Sequence, residues 1–362
     1  MEVSKPRPLQ SLQALRALAA AAVVVYHLIN AEVVYGGGIQ ILGGLAHLGF
    51  AGVDMFFAIS GFIMVMVSSG KFGDQRGALD FLAKRFIRIF PLYWLCTGAI
   101  ALVLSVRPGL LDPALLDRSL IRSLFLLPQE GGPLLVVGWT LTFELFFYLM
   151  TAMALAFGSE RNIPFMLCGW AVALALLQWV PVQGPWAQLV TSPLAFEFIA
   201  GAAAAILWKS LSPRQGVVAL CAGVALALLA AWTLLNRSDF GQTHGVRTLA
   251  FAIPCALTLA AAARLELAGW WPVSRWAAAL GDASYSLYLT HVFVLSLSGR
   301  LWIAVAPTGT ITMNALFLAS SFIACCVVAL LTYRFVERPL LDLGNRWLAH
   351  IRLGAQAGSL PR

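Results

Sequence analysis

Charge is scarce in this chain. Asp, Glu, Lys and Arg make up 11% of its 362 residues, against about 25% in soluble domains. Histidine is scarcer, with five. The signatures that need polar residues at fixed spacing are missing: no phosphate loop, no Gly-x-Ser-x-Gly elbow, no His-Glu-x-x-His and no dinucleotide fingerprint. ATP use, hydrolysis by a nucleophilic serine and metal catalysis therefore have no support in the sequence, and no metal site is expected. The six cysteines (Cys96, Cys168, Cys221, Cys255, Cys325 and Cys326) form no Cys-x-x-Cys pair and all fall in apolar segments. They read as small core residues, which excludes a zinc module or a disulfide framework. No basic run interleaves with aromatics, so nucleic acid is not an expected partner.

What the chain does have is apolar length. It is 60% hydrophobic with mean hydropathy +0.84, more than a soluble fold of this size can bury. The fold class that follows is an all-α polytopic membrane protein. Stretches of about 20 apolar residues, enough to cross a bilayer, can be marked at 9–29, 46–68, 86–106, 135–157, 162–180, 188–208, 215–235, 247–264, 283–305 and 312–334. The longest loop, 107–134, holds a short apolar piece, "LIRSLFLL", that suits a surface or re-entrant helix. The N-terminus imitates a signal peptide, with Lys5 and Arg7 ahead of an apolar run, and is read as an uncleaved first span.

Orientation follows from Lys and Arg. With both termini cytoplasmic, the inner segments hold 18 of the 24 and the outer segments 6, and every lysine is inside. The expected organisation is one transmembrane domain over 1–340 and a short cytoplasmic tail over 341–362.

Ionisable residues at membrane depth are costly and commonly functional or paired. Arg16 and His27 lie eleven residues apart in the first span, close to three helical turns, hence on one face and roughly 16 Å apart along the axis. One polar face reaching from the inner to the outer side suits a reaction that draws on both compartments. Snorkelling of Arg16 to headgroups is the alternative that spacing leaves open. Asp54 in "GVDMFFAISGF" and Glu144 in "GWTLTFELFFYL" fall in the outer half with His27, where a carboxylate can orient an imidazole. Simple hydrogen bonding between helices is their alternative. Glu197, in "LAFEFIAG", stands alone. On the inner side Arg85 and Arg88 are three apart, so they share a helix face and can clamp a phosphate, although basic residues there also satisfy the topology rule. Tyr285, Tyr288 and His291 give the ninth span a polar inner half.

These segments resemble acyltransferase family 3, membrane enzymes that O-acylate bacterial surface carbohydrates. The resemblance rests on "LRALAAAAVVVYH", "GVDMFFAISGF", "KRFIRIFPLYW", "GWTLTFELFFYL", "SYSLYLTH" and "RFVERP", in that order from residue 12 to about 340. The likeness is to short members acting on exopolysaccharide. It implies a multi-pass protein of the bacterial inner membrane that moves an acyl group, most simply acetyl, from cytoplasmic acyl-CoA to a hydroxyl of a polysaccharide or lipid-linked oligosaccharide. Acyl-CoA would be a co-substrate, with no bound cofactor, and membrane lipids and polysaccharide synthesis machinery would be neighbours.

By motif match Arg16, His27 and Glu144 take catalytic positions, and Arg85 and Arg88 the donor-binding pair. Asp54, Trp139, Tyr285, Tyr288 and His291 are carried over as supporting residues. His27 would act as general base or as a transient acyl carrier, its tautomer set by Glu144 or Asp54, with Arg16 on the donor or its oxyanion. The rival reading is a transporter of lipid-linked sugar, which predicts paired Gly/Pro-broken repeats; the two halves show no such symmetry.

Overall fold

The computed structural model describes residues 9–235, 244–271, 274–305 and 309–357. Lys5, Arg7, Arg237 and Arg362, which entered the charge count, lie outside them. Among the described residues there is no strand, and ten helices are long and apolar enough to cross a membrane. Their main helices are α1 (Gln10–Tyr35), α2 (Ala51–Ser68), α3 (Gln75–Val106), α4 (Trp139–Phe157), α5 (Ile163–Leu177), α6 (Ala195–Leu207), α7 (Pro213–Leu235), α8 (His244–Leu267), α9 (Ser284–Val305) and α10 (Ile311–Thr332); adjoining helical turns bring α5 and α6 to crossing length, as Glu160–Leu177 and Pro185–Ser210. A last helix, α11, covers Arg338–Ala357.

Two ends differ most from the hydropathy boundaries. Helix α3 begins at Gln75 because Asp74 caps it, its side chain accepting from the Arg76 amide at 2.9 Å. The span is thus the second part of a longer helix whose first turns are polar. After α10 the chain does not stop but runs through a π turn, Tyr333–Glu337, into α11. Pro339 explains the turn: lacking an N–H, it leaves a helical carbonyl unbonded and its ring crowds the preceding turn, which widens.

The chain divides into two compact units, interleaved in sequence. The first comprises 1–67, 167–176 and 192–329, and the second 68–166, 177–191 and 330–362.

In the first unit α1 is the central element. One side buries Leu12 and Leu15 with Ile59 and Phe62 of α2, Trp208 after α6 and Leu259 of α8. The other buries Ala20, Val24 and Leu28 with Leu287 and Leu295 of α9 and Phe317 of α10. Small residues let the backbones meet, as hydrocarbon-immersed helices require. A side chain at Gly61 of α2 would run into the Phe198 carbonyl, and one at Gly201 of α6 into that of Ala58. The outward faces are apolar as well; Val218, Leu228 and Trp232 of α7 are exposed, which suits lipid.

In the second unit α3 and α4 pack together and the 107–134 segment docks on α3. Tyr93 donates to the Ser123 carbonyl at 2.5 Å and the Trp94 indole to that of Leu124 at 2.8 Å. The apolar "LIRSLFLL" piece forms one short helix, Leu120–Leu124, capped by Ser119.

Candidate active site

The expected site residues fall in both units. In the first, α1 carries Arg16 and His27. The His27 Nδ1 lies 2.9 Å from the Val23 carbonyl one turn back. A carbonyl only accepts, so Nδ1 is the protonated nitrogen and Nε2 holds the lone pair. The tautomer is therefore set by the helix backbone, where a carboxylate had been expected. The ring meets Tyr26 edge-on at 5.4 Å and His291 at 4.8 Å between centroids. His291, on α9, is fully buried, and its Nδ1 faces the Leu287 carbonyl at 3.1 Å. Tyr288, one turn earlier, is buried against Phe56 and 6.1 Å from the His291 ring. Tyr285 is half-buried. Arg16 is half-buried too and donates to the Gln13 side chain at 3.3 Å.

Asp54 has a different environment from the one its sequence suggests. It is wholly buried and pairs with Arg247 of α8 at 3.0 Å. Glu197 of α6, also wholly buried, lies against Asp54 and Thr248. Glu197 is thus not alone: two carboxyls from α2 and α6 converge on one guanidinium from α8, which also covers the Phe50 ring at 4.9 Å. By sequence Arg247 is one of the six basic residues of the outer segments. Its place at the very start of the eighth span, level with Asp54, was the only signal of this cluster.

In the second unit, Arg85 of α3 lies over the rings of Phe81 and Tyr148 at 5.2 and 5.5 Å. The Tyr148 hydroxyl donates to the Glu144 carboxylate, both on α4 and one turn apart. Glu144, Tyr148 and Arg85 therefore form one polar group, beside a cavity of about 280 Å³ lined by Arg85, Phe86, Phe90 and Tyr148. Glu144 thus stands with an arginine expected on the inner side, and not in the outer half where its place in the fourth span put it. Arg88 pairs with Glu337 at 3.4 Å. The carboxylate of Glu337 is buried on the π turn, and this partner was not foreseen. Lys84 pairs with Asp80 at 2.9 Å. Lys71, in the turn before α3, has its pKa lowered by burial first and then by the positive charges of Lys84 and Arg85. The polar start of α3 is thus a cationic field of the kind that attracts phosphate.

Trp139 heads α4 and lines a second cavity of about 130 Å³ with Gln129, Thr142, Phe143 and Gln188. The rest of the lining is mostly leucine and proline, Leu127, Pro128, Pro133, Pro185 and Leu189, and none of it is charged. Trp139 and Phe143 meet edge-on at 5.8 Å. Among the described residues no group of three His, Cys, Asp or Glu side chains could hold a metal ion.

A family model described as an acyltransferase domain matches residues 9–334. The exopolysaccharide production protein ExoZ of Rhizobium meliloti is 33% identical over 310 residues, 82% of this chain and 91% of that protein. The putative peptidoglycan O-acetyltransferase YrhL of Bacillus subtilis is 26% identical over 94% of this chain and 56% of its own length. The peptidoglycan O-acetyltransferase OatA of Listeria monocytogenes is 25% identical over 92% of this chain, again 56% of its own length. The chain thus spans nearly all of the first relative and about half of the other two. No solved structure gives a significant match.

Proposed function

The chain belongs to acyltransferase family 3, and from that premise we propose that it O-acetylates a bacterial exopolysaccharide or its lipid-linked precursor, with cytoplasmic acetyl-CoA as donor. The observation that carries this is His27: a largely buried but still accessible imidazole with Nδ1 bound to its own helix and the Nε2 lone pair left for chemistry.

In this reading Nε2 takes the proton of the sugar hydroxyl as the oxygen attacks the thioester carbonyl. A C–O bond forms, the tetrahedral intermediate collapses, the C–S bond breaks and the thiolate recovers the proton from His27, leaving as CoA. Arg16 serves the donor or its oxyanion. Arg85 and Arg88 bind the CoA phosphates in the cationic field of α3. Glu144, held by Tyr148, steadies Arg85. The uncharged cavity lined by Trp139 takes the acceptor: the Gln188 amide offers hydrogen bonds to hydroxyls, and an indole face packs on the C–H face of a pyranose. ExoZ supports exopolysaccharide as the acceptor class, and the two peptidoglycan enzymes support acetyl as the group moved. The expected place is the bacterial inner membrane beside the machinery that builds the polymer.

The test compares polymer from cells carrying wild-type, His27→Ala and Arg16→Ala chains, with membrane content of the protein measured in parallel. Loss of acetyl groups in both variants at normal protein level is expected. Wild-type acetyl content with His27→Ala would sink the mechanism, and acetylated polymer that fails to reach the surface would favour a transporter.

A further inference from the structure

We propose that α11 binds the surface of an anionic phospholipid leaflet, lying along the bilayer edge with an apolar stripe among the acyl chains and its arginines on the lipid phosphates. The proposal stands on the shape and charge of this helix and is independent of the chemistry at His27.

Helix α11 has two unlike exposed sides. At about 100° per residue, Leu343, Trp347 and Ile351 fall within about 80° of one another. They are 65%, 64% and 48% exposed. Next to that stripe Leu340, Leu341 and Leu348 are half-buried, and Gly344 sits on α3, where an added Cβ would meet the Ile87 side chain. Away from α3 the helix carries Arg338, Asp342, Arg346 and His350, all exposed. The π turn ahead of it adds Arg334, exposed and over the Phe335 ring at 5.6 Å. Hydrocarbon all round would strand these charges. Water all round would leave the Leu, Trp and Ile stripe uncovered. The boundary between the two satisfies both sides at once.

The direction of the helix agrees. Glu337 reaches Arg88 at 3.4 Å, and Gly344 sits on Ile87, the neighbouring residue of α3. Seven residues, about 10 Å of axis, thus cover one residue of α3. A helix lying alongside α3 would meet residues about seven apart. Helix α11 therefore crosses α3 steeply. Since α3 is long and apolar enough to cross the bilayer, α11 lies nearer the membrane plane. The crossing falls where Lys84 and Arg85 give way to the apolar run that starts at Phe86. That is the level at which tryptophan is favoured.

Charge selects the lipid. Arg334, Arg338 and Arg346 stand against Asp342, while Glu337 is engaged by Arg88. A zwitterionic surface would take up the stripe alone, whereas anionic headgroups take up the arginines as well. A protein partner suits the stripe less. Three side chains on two turns fall short of the roughly 800 Å² a side that a stable interface buries.

The test places the full-length protein, one copy per lipid nanodisc, in phosphatidylcholine or in an equal mixture of phosphatidylcholine and phosphatidylglycerol. Amide hydrogen exchange is read over residues 340–351. Exchange should be about 25-fold slower in the mixture, about fivefold for each of Arg338 and Arg346 at an anionic surface. The difference should shrink in high salt. Arg338→Gln with Arg346→Gln should remove most of it and leave exchange in phosphatidylcholine as it was. Leu343→Ser with Trp347→Ser should speed exchange in both lipids. Equal exchange of the wild-type protein in the two lipids overturns the proposal. So does a difference that survives the loss of both arginines. Protection that appears only with two copies in one disc assigns the stripe to a second chain and overturns it too. If a variant does not accumulate, the wild-type comparison between the two lipids and its salt dependence decide alone.

Discussion

Arg88 and Glu337 meet at 3.4 Å, the arginine about a quarter exposed and the carboxylate almost wholly buried. The acid sits on the one π turn among the described residues, five residues long, that Pro339 imposes after α10. The backbone irregularity thus brings a counter-charge to α3. A buried carboxylate that loses its cation is left uncompensated, so the two partners are not equivalent.

Arg88→Ala should therefore lower both stability and donor binding. About 1–3 kcal/mol of unfolding free energy is expected, with a raised acetyl-CoA KM, read by thermal unfolding in detergent and by steady-state kinetics. Arg88→Leu combined with Glu337→Leu should recover the stability and not the KM. If the double variant recovers both, Arg88 has no part in binding the donor.

The buried cluster on α2, α6 and α8 makes a contrasting case. Two carboxyls facing one guanidinium leave one acid in excess of the cation. Glu197→Gln keeps the hydrogen-bonding groups and should cost less than about 1 kcal/mol. Arg247→Met leaves both acids without a cation and should cost about 3–5 kcal/mol. Thermal midpoints of the two variants, measured together, check the ranking. Equal losses would show that both carboxyls are ionised and both need Arg247.

How much of this was legible in the sequence varies with the physics of each feature. Apolar runs of the right length placed all ten spans, because a bilayer requires them whatever the packing. The π turn was not visible, since Pro339 signals only that a helix is disturbed and "RFVERPL" has no hydropathy mark for a widened turn. Spacing put Tyr288 and His291 on one face of α9 and Arg16 and His27 on one face of α1. It also put His27 in the outer half of its span and His291 in the inner half of another; their contact sets both rings at one depth, which only the packing of α1 on α9 decides. The tautomer of His27 was expected from a side chain, yet Val23, an apolar residue, sets it through its backbone. Glu32 was overlooked altogether, being one acid at the far end of the first span.

Glu32 ties down the segment after α1. It is buried, and its carboxylate accepts from the amides of Ile41 and Leu42 at 2.6 and 3.0 Å and from the Asn314 side chain of α10 at 2.7 Å. Asn314 also donates to the Ile39 carbonyl at 2.9 Å. Three charge-assisted bonds close the loop on two helices. Glu32→Ala should cost about 3 kcal/mol or more and speed hydrogen exchange at Ile41 and Leu42 before any other part of the first unit. Unchanged protection of those two amides would mean that the loop is held by its apolar contacts.

Lys71 supplies a prediction about ionic strength. Its pKa is depressed by burial and by Lys84 and Arg85, so these cations raise one another's energy in the free protein. A polyanionic donor relieves that repulsion. The acetyl-CoA KM should therefore climb with salt, as exposed charge pairs are screened over about 10 Å at 0.1 M, and Lys71→Gln should flatten the climb. The KM for the polymer should respond weakly if that polymer is neutral. A donor KM indifferent to salt between low and physiological ionic strength would place the phosphates elsewhere.

In the proposed reading Trp139 separates the acceptor from the donor. Its cavity is lined by leucine, proline, aromatic and amide side chains with no described charge, which suits a sugar's apolar face and a few hydroxyls, whereas the Arg85 cavity suits phosphates. Trp139→Ala removes the flat apolar face and should raise the acceptor KM about tenfold or more, the worth of one well-packed aromatic contact. Trp139→Phe keeps most of the face and should raise it less. Gln188→Ala, at the opposite wall, removes one amide and should act on the same constant. In all three the acetyl-CoA KM should stay where it was. The measurement is a pair of saturation curves per variant, one in polymer and one in acetyl-CoA. A shift in the donor curve alone would move the donor to this cavity and reverse the assignment of the two pockets along α4.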